Sequence, residues 1–184
     1  AITVDTGAAK FGVARKGFSF LSSAVVGGQE LLATTPDCGT VLTDTFGEKY
    51  YSSESTRSVE VIEKGPMRVR VRARGLHKAR GGKGYGKGMY RYDYLMDFYA
   101  GSTTVFSDVI IGNNFPKSVG TPCFDDASLI LKFKDPITRC SIAGNGGQPH
   151  AAELDAGKSV CLHQDSNGAD TWQRCPGVAN MQVD

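Results

Sequence analysis

The 184 residues carry 21 Lys plus Arg against 19 Asp plus Glu, a net charge of +2, and 40% of them are hydrophobic. That length supports one sizeable domain, or one domain and the beginning of another, without covalent staples. The near-neutral balance excludes a chain built to coat nucleic acid, the apolar content excludes disorder, and no apolar run approaches the roughly 18 residues of a membrane-spanning helix.

The chain opens with AITVDTG and no initiator Met, a start that removal of a signal peptide would explain. Ile2 and Val4 alternate with Thr3 and Asp5, which makes residues 1–5 the first expected strand. Further short runs follow at residues 10–15, 18–23, 39–44, 49–53, 58–65, 67–75, 89–100, 103–112, 128–134, 138–143 and 159–165. They are rich in Val, Ile, Thr, Tyr and Phe and are punctuated by Gly, Pro, Asn and Asp. No window holds a capped amphipathic helix of twelve residues. The expected fold is all-β, an antiparallel barrel or sandwich with long hairpins and little helix. Gly65-Pro66 breaks the chain between two strands, so 58–65, 67–75 and 89–100 read as a meander. Residues 112–126, GNNFPKSVGTPCFDD, read as a long loop, and 144–158, GNGGQPHAAELDAGK, as another. The expected division is a barrel over 1–155, with 156–184 either starting a second β-sandwich domain or extending the barrel.

Residues 66–75, PMRVRVRARG, put Met67, Val69, Val71 and Ala73 on one face of a strand and Arg68, Arg70, Arg72 and Arg74 on the other. The returning strand offers Asp93 and Asp97 beside the arginines, and the preceding strand offers Glu60 and Glu63. A charge-paired solvent face is therefore expected in preference to a polyanion-binding stripe.

Between these strands lies LHKARGGKGYGKG, where His77, Lys78, Arg80, Lys83 and Lys87 crowd a segment with no acid. GGKGYGK, residues 81–87, has the spacing of a phosphate loop. It lacks the following Ser or Thr and opens onto a strand rather than a helix, so nucleotide binding is not expected. Arg80, Lys83, Tyr85 and Lys87 are instead candidate contacts for an acidic polysaccharide or oligosaccharide, Tyr85 supplying a stacking face. Near the end, QDSNGADTW (164–172) is a polar turn in which Trp172 is a further candidate sugar contact. Its order departs from that of a calcium loop, and neither a metal site nor a cofactor is expected.

His77, His150 and His163 sit in unrelated segments and read as surface or turn residues, and no catalytic constellation emerges. The five cysteines show no C-x-x-C. A short loop closed by Cys161 and Cys175 fits their spacing in a secreted protein, and free core thiols fit it too. The odd count leaves at least one Cys free or paired outside the chain.

Four segments taken in order, VDTGAAKFGVARKGFSFLSSAVVGGQEL (4–31), VEVIEKGPMRVRVRARG (59–75), YLMDFYAGSTTVFSDVIIGN (94–113) and SVCLHQDSNGADTW (159–172), resemble the exo-acting rhamnogalacturonan lyase-like family. Members of that family combine an N-terminal RIFT-type β-barrel, a central β-sandwich and a C-terminal α/α toroid. The resemblance covers the barrel and the first strands of the sandwich, and no family catalytic residue can be matched to a position here. It implies a secreted, extracellular or periplasmic setting and pectin-like polysaccharide as the neighbouring chemistry. The chain is thus expected to be a non-catalytic β-barrel module of a polysaccharide lyase-like protein. The alternative is an extracellular structural subunit that self-associates through strand edges, as in a filament or surface layer.

Overall fold

The computed structural model describes residues 1–82, 84, 88–113, 123–143, 149–154, 160–162 and 181–183, with the backbone alone for 142, 143, 149, 150, 152, 160–162 and 181–183. The chain forms two compact units, Ala1–Lys134 and Asp135–Asp184.

The first unit holds three four-stranded sheets. One consists of β1 (Ile2–Asp5), β2 (Ala9–Val13), β3 (Ser23–Val26) and β4 (Gln29–Glu30) in chain order. A second contains β5 (Gly39–Asp44), β6 (Lys49–Tyr51), β9 (Lys78–Ala79) and β12 (Phe124–Ile130), in the order β12-β5-β6-β9. The third is the predicted meander: β7 (Thr56–Lys64), β8 (Arg68–Leu76), β10 (Arg91–Tyr99) and β11 (Val105–Gly112), in the order β11-β10-β8-β7. Every pairing is antiparallel, and among the described residues no sheet closes into a barrel. The second unit contributes two hairpins, β13 (Arg139–Ala143) with β14 (Pro149–Glu153), and β15 (Val160–Leu162) with β16 (Met181–Val183). Helical structure among the described residues is limited to two three-residue turns, Ser52–Glu54 and Arg80–Gly82.

The main core lies between the first sheet and the meander. Ile2, Val4, Phe11, Val13 and Ala24 from one side meet Val59, Val71, Ala73, Tyr92, Tyr94, Met96 and Phe98 from the other. Alternation places these residues inward, because successive side chains leave a strand on opposite faces. A smaller cluster of Leu42, Tyr50, Ala79, Met89 and Tyr90 lies under the second sheet.

Residues 18–23 depart from the expected strand. Phe18, Phe20 and Leu21 are all buried, so no alternation survives, and Phe20 has φ 72°. Individual bonds rather than a ladder satisfy the segment: Thr56 Oγ1 accepts from Phe18 N at 2.9 Å, Gly12 O accepts from Ser22 N at 2.9 Å, and Phe18 O accepts from Ser52 Oγ at 3.1 Å. The segment plugs the core, and the strand begins at Ser23 instead. The strand expected at 128–134 lies four residues earlier, as β12 runs from Phe124 to Ile130 and enters the expected loop, and β14 occupies Pro149–Glu153 where a loop was expected.

Gly75 permits the closest approach in the meander. A Cβ there would lie 2.1 Å from Ser55 O and 2.4 Å from Tyr92 Oη, so the strand crosses at this point only because it has no side chain.

Candidate functional site

The arginine face is neutralised by its own chain. In the register of the meander Asp97 stands opposite Arg70, and Glu60 opposite Arg72. Arg70 donates from Nε to Asp97 Oδ1 at 2.7 Å and from Nη2 to Oδ2 at 2.6 Å, a two-pronged pair. Arg72 grips Asp93 in the same way, with Nε 2.9 Å from Oδ1. Arg68 Nε donates to Glu63 Oε1 at 3.1 Å, and Arg74 Nη2 to Glu60 Oε1 at 2.9 Å. Arg70 holds the Asp97 carboxyl below the usual carboxylate range, against the opposing effect of its burial. Four guanidinium groups thus meet four carboxylates, and the stripe presents little uncompensated charge to a polyanion.

Arg80, the one expected sugar contact whose side chain is described, roots the basic hairpin loop. Its Nε donates to Glu54 Oε1 at 2.8 Å and its Nη1 to Asp37 Oδ1 at 2.6 Å, while the guanidinium lies 3.9 Å over the Tyr51 ring. Asp37 also faces Lys132 Nζ at 3.5 Å, and its carboxyl is held low, chiefly by Arg80. Beside this node an open groove of about 290 Å³ is lined by Ser19, Ser22, Thr34, Thr35, Ser53 and Glu54, among others. Thr34 Oγ1 and Ser53 Oγ already donate to carbonyls of the chain, so much of the lining is internally satisfied.

Lys83, Tyr85, Lys87, Trp172 and Cys175 lie outside the described residues, as does the Cys161 side chain, so the expected Cys161–Cys175 bridge falls there too. Cys38, Cys123 and Cys140 stand as thiols, and no disulfide occurs among the described side chains. No grouping of His, Cys, Asp and Glu among the described residues is suited to a metal ion.

His77 corrects the expectation of a surface residue, being 0% exposed. Its Nδ1 lies 3.0 Å from Tyr90 O and its Nε2 2.7 Å from Thr40 Oγ1. A carbonyl only accepts, so Nδ1 carries the proton and Nε2 accepts from the threonine hydroxyl. The ring is neutral, and burial pushes its pKa down to about 4 despite the bond to Tyr90. Its position in the basic loop segment concealed this, since polar neighbours in sequence say nothing about a ring turned inward between β5 and the start of β10.

A further site, not singled out from the sequence, lies at one end of the meander. There the β7–β8 turn, the end of β10 and the end of β1 meet around a pocket of about 70 Å³, lined by residues that include Asp5, Thr6, Met67, Arg68 and Tyr99. Ala100 N donates to Met67 O at 2.9 Å and Gly101 N to Thr6 O at 2.7 Å, which ties the three segments together. Tyr99 and Phe106 stand beside it in an edge-to-face pair, 5.8 Å between centroids, and both are open to solvent. Alternation along β10 places Tyr99 with Asp93 and Asp97, on the charged face. The matching signal for Phe106 was obscured because β11, VFSDVIIG, has apolar residues on both faces.

No protein family, curated protein or solved structure matches this chain in the comparisons made. No helix among the described residues is long and apolar enough to cross a membrane.

Proposed function

We propose that this chain is a non-catalytic β-module of a secreted polysaccharide lyase-like protein, and that it contacts acidic polysaccharide through the basic hairpin loop at 80–87. The observation that supports this reading is the anchoring of Arg80 by Asp37, Glu54 and the Tyr51 ring. That anchor fixes the base from which Lys83, Tyr85 and Lys87 extend in sequence, whereas the larger arginine face is already occupied by carboxylates. Arg80 itself is paired with Asp37 and Glu54, so the contact proposed for the loop is assigned to Lys83, Tyr85 and Lys87. The test is retention on polygalacturonate: Lys83→Gln with Lys87→Gln should abolish most of it, and Arg70→Gln with Arg72→Gln should leave it nearly unchanged. The reverse pattern refutes the reading. Incubation with rhamnogalacturonan or polygalacturonate should give no ultraviolet-absorbing unsaturated product, and robust product formation would show the chain to be catalytic.

The alternative of a strand-edge assembling subunit draws support from the edge strands β11 and β12, where Phe106, Ile110 and Leu129 are exposed. The N-terminal strand, the segment such a subunit would donate, is engaged within the chain, since β1 pairs with β2 and buries Ile2 and Val4 in its own core. Regular filaments seen by electron microscopy, vanishing on deletion of residues 1–6 with the subunit still folded, would establish this alternative.

A further inference from the structure

The open end of the meander carries three features within one patch, joined through Arg68 and Tyr99. The first is an aromatic pair on a sheet face, with Phe106 58% and Tyr99 37% exposed, and Met67 beside the pocket 70% exposed. Rings left in water on a flat strand surface are a cost unless something apolar covers them. The second is a set of planar groups bordering the rings. Arg68 lies opposite Tyr99 across the strands, with Glu63 at 3.1 Å and Asp97 at 3.8 Å from its Nε, and Asp97 stands opposite Phe106 on β11. The third is the pocket of about 70 Å³ adjoining Arg68 and Tyr99.

A ligand that uses all three has an apolar face, a rim of groups that both donate and accept, and one short projecting arm. A pyranose ring has that chemistry. Its C–H face covers an aromatic ring, its hydroxyls donate to carboxylates and accept from guanidinium N–H groups, and its hydroxymethyl arm is small enough for a pocket that holds only a few water-sized groups.

The local charge selects among sugars. Arg68 and Arg70 are each engaged by a carboxylate of the chain, and Asp5, Glu63 and Asp97 all border the patch. An incoming uronate would have to displace Glu63 from Arg68, exchanging one carboxylate for another while facing the remaining acids. An uncharged sugar inserts its hydroxyls without that exchange. A protein partner would need a broad apolar area at its centre, and here acids and arginines border the rings instead.

We propose that Tyr99 and Phe106, with Arg68, Glu63, Asp97 and the adjoining pocket, form a binding site for an uncharged pyranose. The inference rests on the reading of the chain as a polysaccharide-contacting module, but it assigns a second site, at the opposite end of the β8–β10 pair from the hairpin loop and of different sugar class.

The experiment is affinity gel electrophoresis of the 1–184 chain in gels containing galactan, β-glucan or polygalacturonate. At least one of the two neutral polymers should retard the protein. Phe106→Ala and Tyr99→Ala should each weaken that retardation at least about five-fold, as expected when a ring central to a contact is truncated. Arg68→Gln should weaken it as well. Phe46→Ala removes an 89% exposed ring on another turn and should bind as the parent does. Unchanged circular dichroism certifies the fold of each variant, which surface positions allow. Retardation by neither neutral polymer overturns the proposal. So does an equal loss in Phe46→Ala, which would mean general stickiness. Phe106-dependent retention confined to polygalacturonate would make the site one for acidic sugar, and Phe106-dependent dimerisation in sedimentation would make it a protein interface; either result refutes the assignment. Lys83→Gln with Lys87→Gln should leave neutral-polymer retardation intact, so failure of the loop and failure of this site are read separately.

Discussion

Acidification should destabilise the fold through His77 in a window where few other groups respond. The ring is buried and neutral, with a pKa lowered from 6.5 to about 4, burial being the dominant cause. Above pH 6.5 neither the folded nor the unfolded chain binds a proton there, and the full stability is present. As pH falls from 6.5 towards 4 the unfolded chain takes up a proton that the folded chain refuses, so stability falls by about 1.4 kcal/mol per unit. Over the whole window the loss is on the order of 3 kcal/mol. Below about pH 4 both states are protonated and this contribution is exhausted. Urea unfolding at half-unit steps between pH 4.5 and 7.5 measures the slope. His77→Gln, whatever its own stability, lacks the titrating ring, so its profile between pH 4.5 and 6 should be flatter by about 1.4 kcal/mol per unit. Parallel profiles for the two proteins would refute the assignment of a buried neutral imidazole, as would a His77 proton titration near 6.5 by nuclear magnetic resonance.

The remaining predictions concern the scaffold and are read by thermal or urea unfolding. Asp97→Asn should cost about 2 kcal/mol, because it leaves Arg70 without the carboxylate that occupies two of its donors on a buried strand position. Glu60→Gln, at an exposed pair, should cost under about 0.5 kcal/mol, and equal effects would show that burial does not differentiate the arginine partners. Since the Asp97 carboxyl is held low, its contribution is present above about pH 4 and is lost only as pH falls further, below the His77 window. Gly75→Ala should lower stability by at least about 2 kcal/mol through collision with Ser55 O and Tyr92 Oη. Gly65→Ala, whose Cβ would meet Arg68 O at an ordinary 3.4 Å, should be within about 0.5 kcal/mol of the parent. Deleting residues 1–6 removes Ile2 and Val4 from the core and should lower the melting temperature of the monomer markedly; an unchanged melt would contradict the β1–β2 pairing.

The meander was legible because its information is local and redundant. In β8 Val69, Val71 and Ala73 are each followed by an arginine, and the acids that Arg70 and Arg72 need lie on the adjacent strand, Asp97 directly opposite Arg70 and Asp93 diagonal to Arg72. Residues 18–23 misled for the opposite reason. Phe18 and Phe20 alternate with Ser19 in sequence, but all three are enclosed because the segment crosses the space between two sheets instead of lying in one. The burial of His77 is not legible because its partners, Thr40 of β5 and the carbonyl of Tyr90 just before β10, lie 37 and 13 positions away and a ring's partners leave no local pattern. β14 was hidden by a glycine-rich approach and a proline at its first position, where a strand tolerates one. At the candidate sites, Arg80 was visible as a charge but its anchoring acids were not, and Phe106 was visible as apolar but not as exposed.

The tie between the first strand and the β10–β11 turn bears on how the molecule comes into being. Thr6 O accepts from Gly101 N at 2.7 Å, and Thr6 Oγ1 donates to Ser102 O at 2.7 Å, contacts that span 96 positions in the latter case. A ribosome delivers residues 1–30 long before residue 102 leaves the tunnel, so the first sheet must wait as a nascent segment with Ile2, Val4 and Phe11 uncovered. Such distant closure is slow relative to hairpin formation, and the waiting chain is the species most exposed to chaperones and to wrong partners. Synthesis stalled just before residue 90 should therefore leave the first sheet sensitive to protease, and release past about residue 105 plus the tunnel length should protect it in a single step.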